Sequence, residues 1–301
     1  MEIKAKGIDV SVHQGNIDFE QVKQSGIDFV VLRAGYGIGH IDPKFYTNYQ
    51  NAKQAGLDVG AYWYSYADSV DFARQEAESC IEAIKGLQLE YPVYYDVEEP
   101  KQIQAGKQFY SSLIKTFCPI LEQSGYFAGF YTNLSSLLTV VDTETANRFA
   151  CWCAQWGSNC TYKGSYGMWQ YSAKGRISGI NTDVDCNYAY FDYPGTIKRL
   201  KLNGYSNSQP MLKTLAEVAQ EVLDGKWNVG EERKRLLIQS GYNYDLVQAE
   251  VNKLCEELNK FYTVQKGDTI ETICFKFGIS PMQLVELNDW IKPNAKIQVR
   301  K

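Results

Sequence analysis

Residues 91–99 read Tyr-Pro-Val-Tyr-Tyr-Asp-Val-Glu-Glu, an apolar run that stops on acids. The pattern predicts a buried strand with alternating side chains, so Asp96 and Glu98 face the same way, about 6–7 Å apart along the backbone. Val97 and Glu99 face the other side. Two neighbouring carboxyls in a poorly hydrated site cannot both ionise freely, so one holds its proton beside a persistent anion. Cleavage of a glycosidic bond needs that division of labour. An isolated Asp-x-Glu would read only as an acidic strand end, and the rest of the chain is what gives it weight.

Around this strand, the first two-thirds of the sequence repeats one unit, a helical stretch closed by glycine and followed by a β-rich apolar run. The closing residues are Gly26, Gly56, Gly86 and Gly125. Each suits the left-handed position that ends a helix. Strands are expected at 7–11, 29–33, 59–64, 93–98 and 127–131, with crossover helices at 72–84 and 109–121. Farther on, 149–156, 167–171 and 180–186 read as strands joined by short loops, with helix signal only near 143–148. Nearly continuous apolar strands alternating with helices imply parallel strands covered on both faces. The expected fold class is therefore α/β, an irregular TIM-like (β/α)5(β)3 barrel.

In such barrels chemistry gathers at the C-terminal rim. The expected strand ends bring Asp9, Arg33, Tyr36, Tyr62, Tyr64, Asp96, Glu98, Tyr131 and Asn133 there, then Trp156, Trp169, Gln170, Asp183 and Asp185. Aromatic faces suit the apolar C–H faces of sugar rings, although with 22 tyrosines in the chain most must be core.

Composition excludes several other functions. The chain has 301 residues, 45% hydrophobic, enough for two or more domains with real cores. A net charge of -4 argues against nucleic-acid binding through phosphate neutralisation. No apolar run approaches a membrane span. The first residues, Met-Glu-Ile-Lys-Ala-Lys-Gly, lack the apolar core of a secretory signal, so synthesis and retention in the cytosol are expected. In that compartment the eight scattered cysteines are expected to be reduced thiols filling core space. With only His13 and His40, an H-E-x-x-H zinc site is impossible, and neither a metal nor a cofactor is expected.

Beyond residue 200 the repeat stops. Residues 203–210, Asn-Gly-Tyr-Ser-Asn-Ser-Gln-Pro, read as part of a linker over 201–212. Residues 213–258 predict three short amphipathic helices, the first carrying Leu215, Ala219, Val222 and Leu223 and the third Val247, Val251, Leu254 and Leu258. Residues 261–301 predict a small β-helix-helix-β unit.

Three stretches resemble known families. Residues 5–194 resemble a glycoside hydrolase family 25 lysozyme, an N-acetylmuramidase. The resemblance is carried by Gly7-Ile8-Asp9-Val10-Ser11 with Gln14-Gly15, by Asp96-Val97-Glu98, by Trp169-Gln170-Tyr171, and by Gly179-Ile180 leading to Val184-Asp185-Cys186-Asn187. The chain departs from that pattern at His13, Tyr62-Trp63-Tyr64 and Cys186. Residues 213–254 resemble the Cpl-7-type cell-wall-binding repeat of phage lysozymes, through Val218-Ala219, Gly225-Lys226-Trp227 and Gly241-Tyr242-x-Tyr244. Residues 261–300 resemble a LysM domain, through Tyr262-Thr263-Val264 and Gly267-Asp268-Thr269, with Pro293-Asn294-Ala295 where Pro-Gly is expected.

The resemblance implies a phage or prophage endolysin that cuts the β-1,4 bond between N-acetylmuramic acid and N-acetylglucosamine in bacterial peptidoglycan. It implies Glu98 as general acid and Asp96 as an ionised stabiliser that orients the 2-acetamido group, with Asp9 and Asp185 completing the acidic rim. Arg33, Tyr36, Tyr62, Tyr64, Tyr131, Trp156, Gln170 and Asp183 would contact the glycan strand, and Trp227, Arg233, Asp268 and Thr269 the wall. The expected enzyme is made without a leader and acts on the wall after release. The competing readings are a non-catalytic wall-binding protein, a bacterial autolysin of the same fold, and an amidase or endopeptidase. Substrate assistance, a covalent intermediate and direct inversion stay open, and the sequence sets neither the host wall nor the oligomeric state.

Overall fold

The computed structural model describes residues 2–205, 213–240, 242, 244–259, 261–288 and 296–299. They fall in two compact units, one over 1–212 with 238–243 and one over 213–237 with 244–301.

The first unit opens with β1 (Ala5–Val10), α1 (Phe19–Gln24), β2 (Phe29–Tyr36), the two-residue β3 (His40–Ile41) and α2 (Phe45–Gln54). It continues with β4 (Asp58–Tyr64), α3 (Val70–Ile84), β5 (Val93–Asp96), α4 (Pro100–Gln104) and α5 (Lys107–Gln123). Then come β6 (Ala128–Asn133), α6 (Leu134–Thr139), α7 (Thr143–Arg148), β7 (Ala150–Ala154), β8 (Met168–Gly175), β9 (Val184–Ala189) and α8 (Tyr193–Leu200). The strands pair in the order β1-β9-β8-β7-β6-β5-β4-β2-β3, and β1 also pairs with β2, which closes a barrel and leaves β3 as a flap on β2.

The closing glycines have one cause. Gly26, Gly56, Gly86 and Gly125 take φ of 81°, 73°, 82° and 84°, a region that costs a residue bearing a Cβ but not glycine. Each turns a helix end back toward the next parallel strand. Along β2 the side chains alternate between two cores. Phe29 and Val31 point into the barrel with Tyr94, Trp152 and Met168, while Val30 and Leu32 pack outward with the helices. Burial on both faces explains the uninterrupted apolar run.

The structure corrects four expectations. β5 ends at Asp96, so Glu98 lies just past the ladder rather than within it. Helices α6 and α8 join α7 in the last third, where weak local periodicity had shown only one. The last strand begins at Val184 rather than 180 and runs antiparallel to both β1 and β8. The connection 176–183 is too short for a crossover, so the chain must return in the opposite direction.

Residues 203–205 are not linker. Asn203 is fully buried at φ 51°; its Nδ2 donates to the Leu89 and Tyr91 carbonyls and its Oδ1 accepts the Phe127 amide. These bonds tie the chain after α8 to the entries of β5 and β6, so the barrel extends through Tyr205. The rest of the expected linker, 206–212, lies outside the described residues, as does Pro293-Asn294-Ala295.

The second unit holds α9 (Leu215–Leu223), α10 (Gly230–Gln239), α11 (Tyr244–Asn259), β10 (Phe261–Thr263), α12 (Ile270–Phe277), α13 (Pro281–Glu286) and β11 (Lys296–Gln298). Helix α9 packs on α11, and Val218, Ala219, Val222, Val247 and Val251 of the two stripes are buried as core, while the Leu258 side chain lies outside the described residues. β10 and β11 pair antiparallel over a core of Val264, Ile273, Cys274, Leu284 and Val299.

Candidate active site

Every barrel strand contributes to one cleft of about 270 Å³ at the C-terminal rim. β1 brings Asp9 and Val10, and the turn after it Ser11, His13 and Gln14; β2 brings Arg33, β4 Tyr62 and Tyr64, and β5 Asp96 with Glu98 just beyond. β6 adds Tyr131, β7 Trp152, β8 Gln170 and β9 Asp185. Asp185 reaches this rim because β9 is antiparallel: it opens its strand directly opposite Asp9, near the end of β1.

Asp9 is held by two amides whose own orientation is set. Gln170 Nε2 and Asn187 Nδ2 donate to Asp9 Oδ2 at 3.0 and 2.7 Å. The Gln170 carbonyl oxygen accepts from the Tyr131 hydroxyl at 3.0 Å and the Trp156 indole at 3.1 Å. Asn187 Oδ1 accepts from the Trp152 indole at 2.8 Å. With each amide oxygen occupied by an obligate donor, each NH2 group must point at Asp9. The second oxygen of Asp9 is thereby left to Asp185.

Four carboxyls in so small a space repel one another. Burial, then the charge of Asp185, pushes Asp9 well above the usual carboxylate range. Burial, then the charges of Glu98 and Asp9, does the same to Asp96, against which the Arg33 guanidinium pulls it down. Glu98 is raised by burial, then by Asp185 and Glu99. Asp185 is raised by burial and lowered by its hydrogen bond with Asp9. The cleft therefore retains protons on acids that water would strip. Asp96 and Glu98 are both raised, and burial is the first cause for each. Asp96 Oδ1 is buried without a hydrogen-bond partner among the described residues.

Arg33 is fixed by Asp42, whose Oδ2 accepts from its Nε at 2.8 Å and from the Val12 amide at 3.0 Å. Asp42 was not apparent as a site residue, since it sits in no acidic or aromatic motif, and Asn187 entered only as the last residue of the Val184–Asn187 motif, with no role given to it. Glu99 was expected to face away, yet it accepts from the Tyr64 hydroxyl at 2.7 Å, because the chain turns once β5 has ended.

The other expected contacts divide. Tyr62, Tyr64, Tyr131, Gln170 and Arg33 line the cleft. Tyr36 does not; it lines an adjoining cavity of about 520 Å³ that shares His13, Arg33 and Tyr64 with it. Trp156 is 66% exposed, lies outside the cleft lining and reaches the site through its hydrogen bond to Gln170. Asp183 precedes β9, outside the cleft, and pairs with Arg176 at 2.8 Å. In the second unit, Trp227 donates to Glu221 at 3.2 Å and Arg233 Nε to the Asn228 carbonyl at 3.0 Å. Asp268 accepts from the Tyr262 hydroxyl and the Gln265 amide, and Thr269 caps α12. Among the described residues no group of three or more His, Cys, Asp or Glu side chains is arranged to hold a metal ion.

Family models match three stretches: glycosyl hydrolases family 25 over residues 8–180, a CW_7 repeat over 216–255 and a LysM domain over 262–301. An autolytic lysozyme of Clostridium acetobutylicum is 32% identical over 183 residues, 60% of this chain and 54% of that protein, so the chain spans about half the length of this relative. The lysozyme of Streptococcus phage Cp-7 is 24% identical over 258 residues, covering 82% of this chain and 69% of that one. The crystal structure of a bacterial lysozyme from Streptomyces coelicolor superposes with a TM-score of 0.57 at 26% identity, covering 67% of this chain and 98% of that one. With the family model matching residues 8–180, more than half its length, the chain belongs to the glycosyl hydrolases family 25.

Proposed function

We propose that this chain is a peptidoglycan hydrolase that cuts the β-1,4 bond between N-acetylmuramic acid and N-acetylglucosamine. The single observation that carries the reading is the rim cleft, where Asp9, Asp96, Glu98 and Asp185 meet and burial keeps protons on carboxyls. Glu98, half-buried at the end of the β5 segment, protonates the glycosidic oxygen as the bond to C1 breaks. Asp96 takes the second role. Its unpartnered Oδ1 is an acceptor for the N–H of a bound 2-acetamido group, and the positive charge developing at the sugar returns it to carboxylate. That acceptor favours the assisted route, in which the acetamido carbonyl attacks C1 and water later opens the ring it forms. Asp185, set by Asp9, is placed to orient that water.

Arg33, Tyr62, Tyr64 and Tyr131 position the glycan, and the adjoining cavity with Tyr36 extends the strand's path. The CW_7 and LysM modules raise the effective concentration at the wall, with Trp227, Arg233, Asp268 and Thr269 as the contacts to test first. The phage or prophage endolysin role is supported by the match to the Cp-7 lysozyme, which extends past the barrel. On that reading the enzyme acts on the wall after release from the host cytoplasm.

Digestion of purified walls followed by mass analysis tests the bond. New reducing N-acetylmuramic acid ends with intact peptide stems are expected. New reducing N-acetylglucosamine ends or freed peptides would remove the assignment, and intact walls would point to a binding protein with a silent barrel.

A further inference from the structure

β7 carries Cys151 and Cys153 on the face turned away from the barrel interior, with Trp152 between them pointing inward. The segment after this strand returns over that outer face. There Gln155 Oε1 accepts from both the amide and the hydroxyl of Thr161, at 2.7 and 3.2 Å. The Gln155 carbonyl also accepts from the Trp169 indole at 2.8 Å. The loop thus closes on itself one residue beyond Cys160, and this brings the Cys160 sulfur to 3.8 Å from the Cys153 sulfur. A disulfide needs the sulfurs at about 2.05 Å, a distance that side-chain rotation covers when the backbone is already folded back. Cys160 is half-buried and faces the loop side, whereas Cys153 is fully buried beneath it. These thiols take no part in the hydrolytic cleft, and no third ligand completes a metal site with them among the described residues.

We infer that Cys153 and Cys160 are a disulfide-forming pair, closed by a small-molecule disulfide such as oxidised glutathione and reopened by thiols. The Cys160 thiolate attacks one sulfur of the oxidant, expels one glutathione thiolate and leaves a mixed disulfide. Cys153 then gives up its proton and attacks the Cys160 sulfur, expelling the second glutathione. The oxidant's S–S bond breaks as the protein's S–S bond forms, and the two protons given up by Cys160 and Cys153 end on the two expelled glutathione thiolates, so the oxidant leaves as two thiols. Burial pushes the Cys153 thiol up, so the second step is the slow one and quickens as pH rises. The bridge staples the segment that carries Trp156, the aromatic side chain whose indole fixes Gln170 beside Asp9.

The test exposes the native full-length protein to oxidised glutathione at mildly alkaline pH, alkylates the remaining thiols and maps the peptides. Two of the eight thiols are expected to disappear together, with the mass of two hydrogens lost, a linked 153–160 peptide, and reversal by dithiothreitol. Cys160→Ser is expected to leave Cys153 unmodified under the same conditions, since its burial then shields it from the oxidant. Eight free thiols, glutathione retained on Cys160 without closure, or a bridge from Cys160 to Cys151 would each overturn the assignment.

Discussion

The cleft at the C-terminal rim encloses about 270 Å³ and gathers four carboxyls, while a cavity of about 680 Å³ at the opposite end gathers Tyr126, Phe127, Phe149, Tyr166, Tyr190, Phe191 and Tyr193. The larger cavity lies where β6, β7 and β8 begin. Its one carboxyl, Glu122, is answered by two hydrogen bonds from Arg148 at 2.8 and 2.5 Å. At the rim, by contrast, Asp96 keeps an unpartnered oxygen and all four acids are raised. Volume therefore does not locate the chemistry. The unsatisfied carboxyl does, and it sits at the rim.

The sharpest way to break this comparison is Glu98→Gln. Loss of the proton donor is expected to cut wall lysis by about 10³-fold while wall binding persists, measured by turbidity loss and pull-down on the same walls. Asn203→Ala probes the far end. Removing a buried amide that joins the entries of β5 and β6 is expected to cost about 2–3 kcal/mol of stability, read by denaturant unfolding, with kcat/KM on soluble glycan unchanged. A fall in kcat/KM without a fall in stability would erase the distinction between the ends.

A subtler effect is expected from Asp96→Asn. The Asp96 pKa in the fold lies above the unfolded value, so the native state binds more protons, and stability falls as pH rises from the unfolded pKa through the raised one. Only above the raised pKa does the native protein carry the whole penalty. The Asn variant should therefore gain in melting temperature over wild type as pH rises through that value, and the gap should close below the ordinary Asp range, even though activity is lost. The smallest effect belongs to Asp185→Asn. Its charge helps to raise Glu98, so the alkaline limb of the residual activity should move to lower pH.

Much of the rim was legible because strand alternation and strand ends are local properties. Asp9, Asp96, Glu98 and Asp185 all converge as their spacing implied. What stayed hidden depends on chain direction and on contacts far apart in sequence. Asp183 and Asp185 share an alternation, and only the antiparallel return of β9 separates the residue opposite Asp9 from one paired with Arg176 at the surface. Asn187 and Asp42 act on residues more than eight positions away, Asp9 and Arg33 respectively, so even the motif that contains Asn187 does not tell what it holds. Asn203-Gly204 has the composition of a linker, yet the backbone groups it satisfies belong to strands begun about a hundred residues earlier.

Direct titration of the Glu98 carboxyl bears most closely on the account. In the intact protein, carboxyl carbon spectra compared between wild type and Glu98→Gln isolate its signal from the coupled cluster. The expected midpoint lies above the ordinary 4.5 of a glutamate. A midpoint at or below that value would mean that no proton is held for the glycosidic oxygen, and the catalytic reading of the rim would fail.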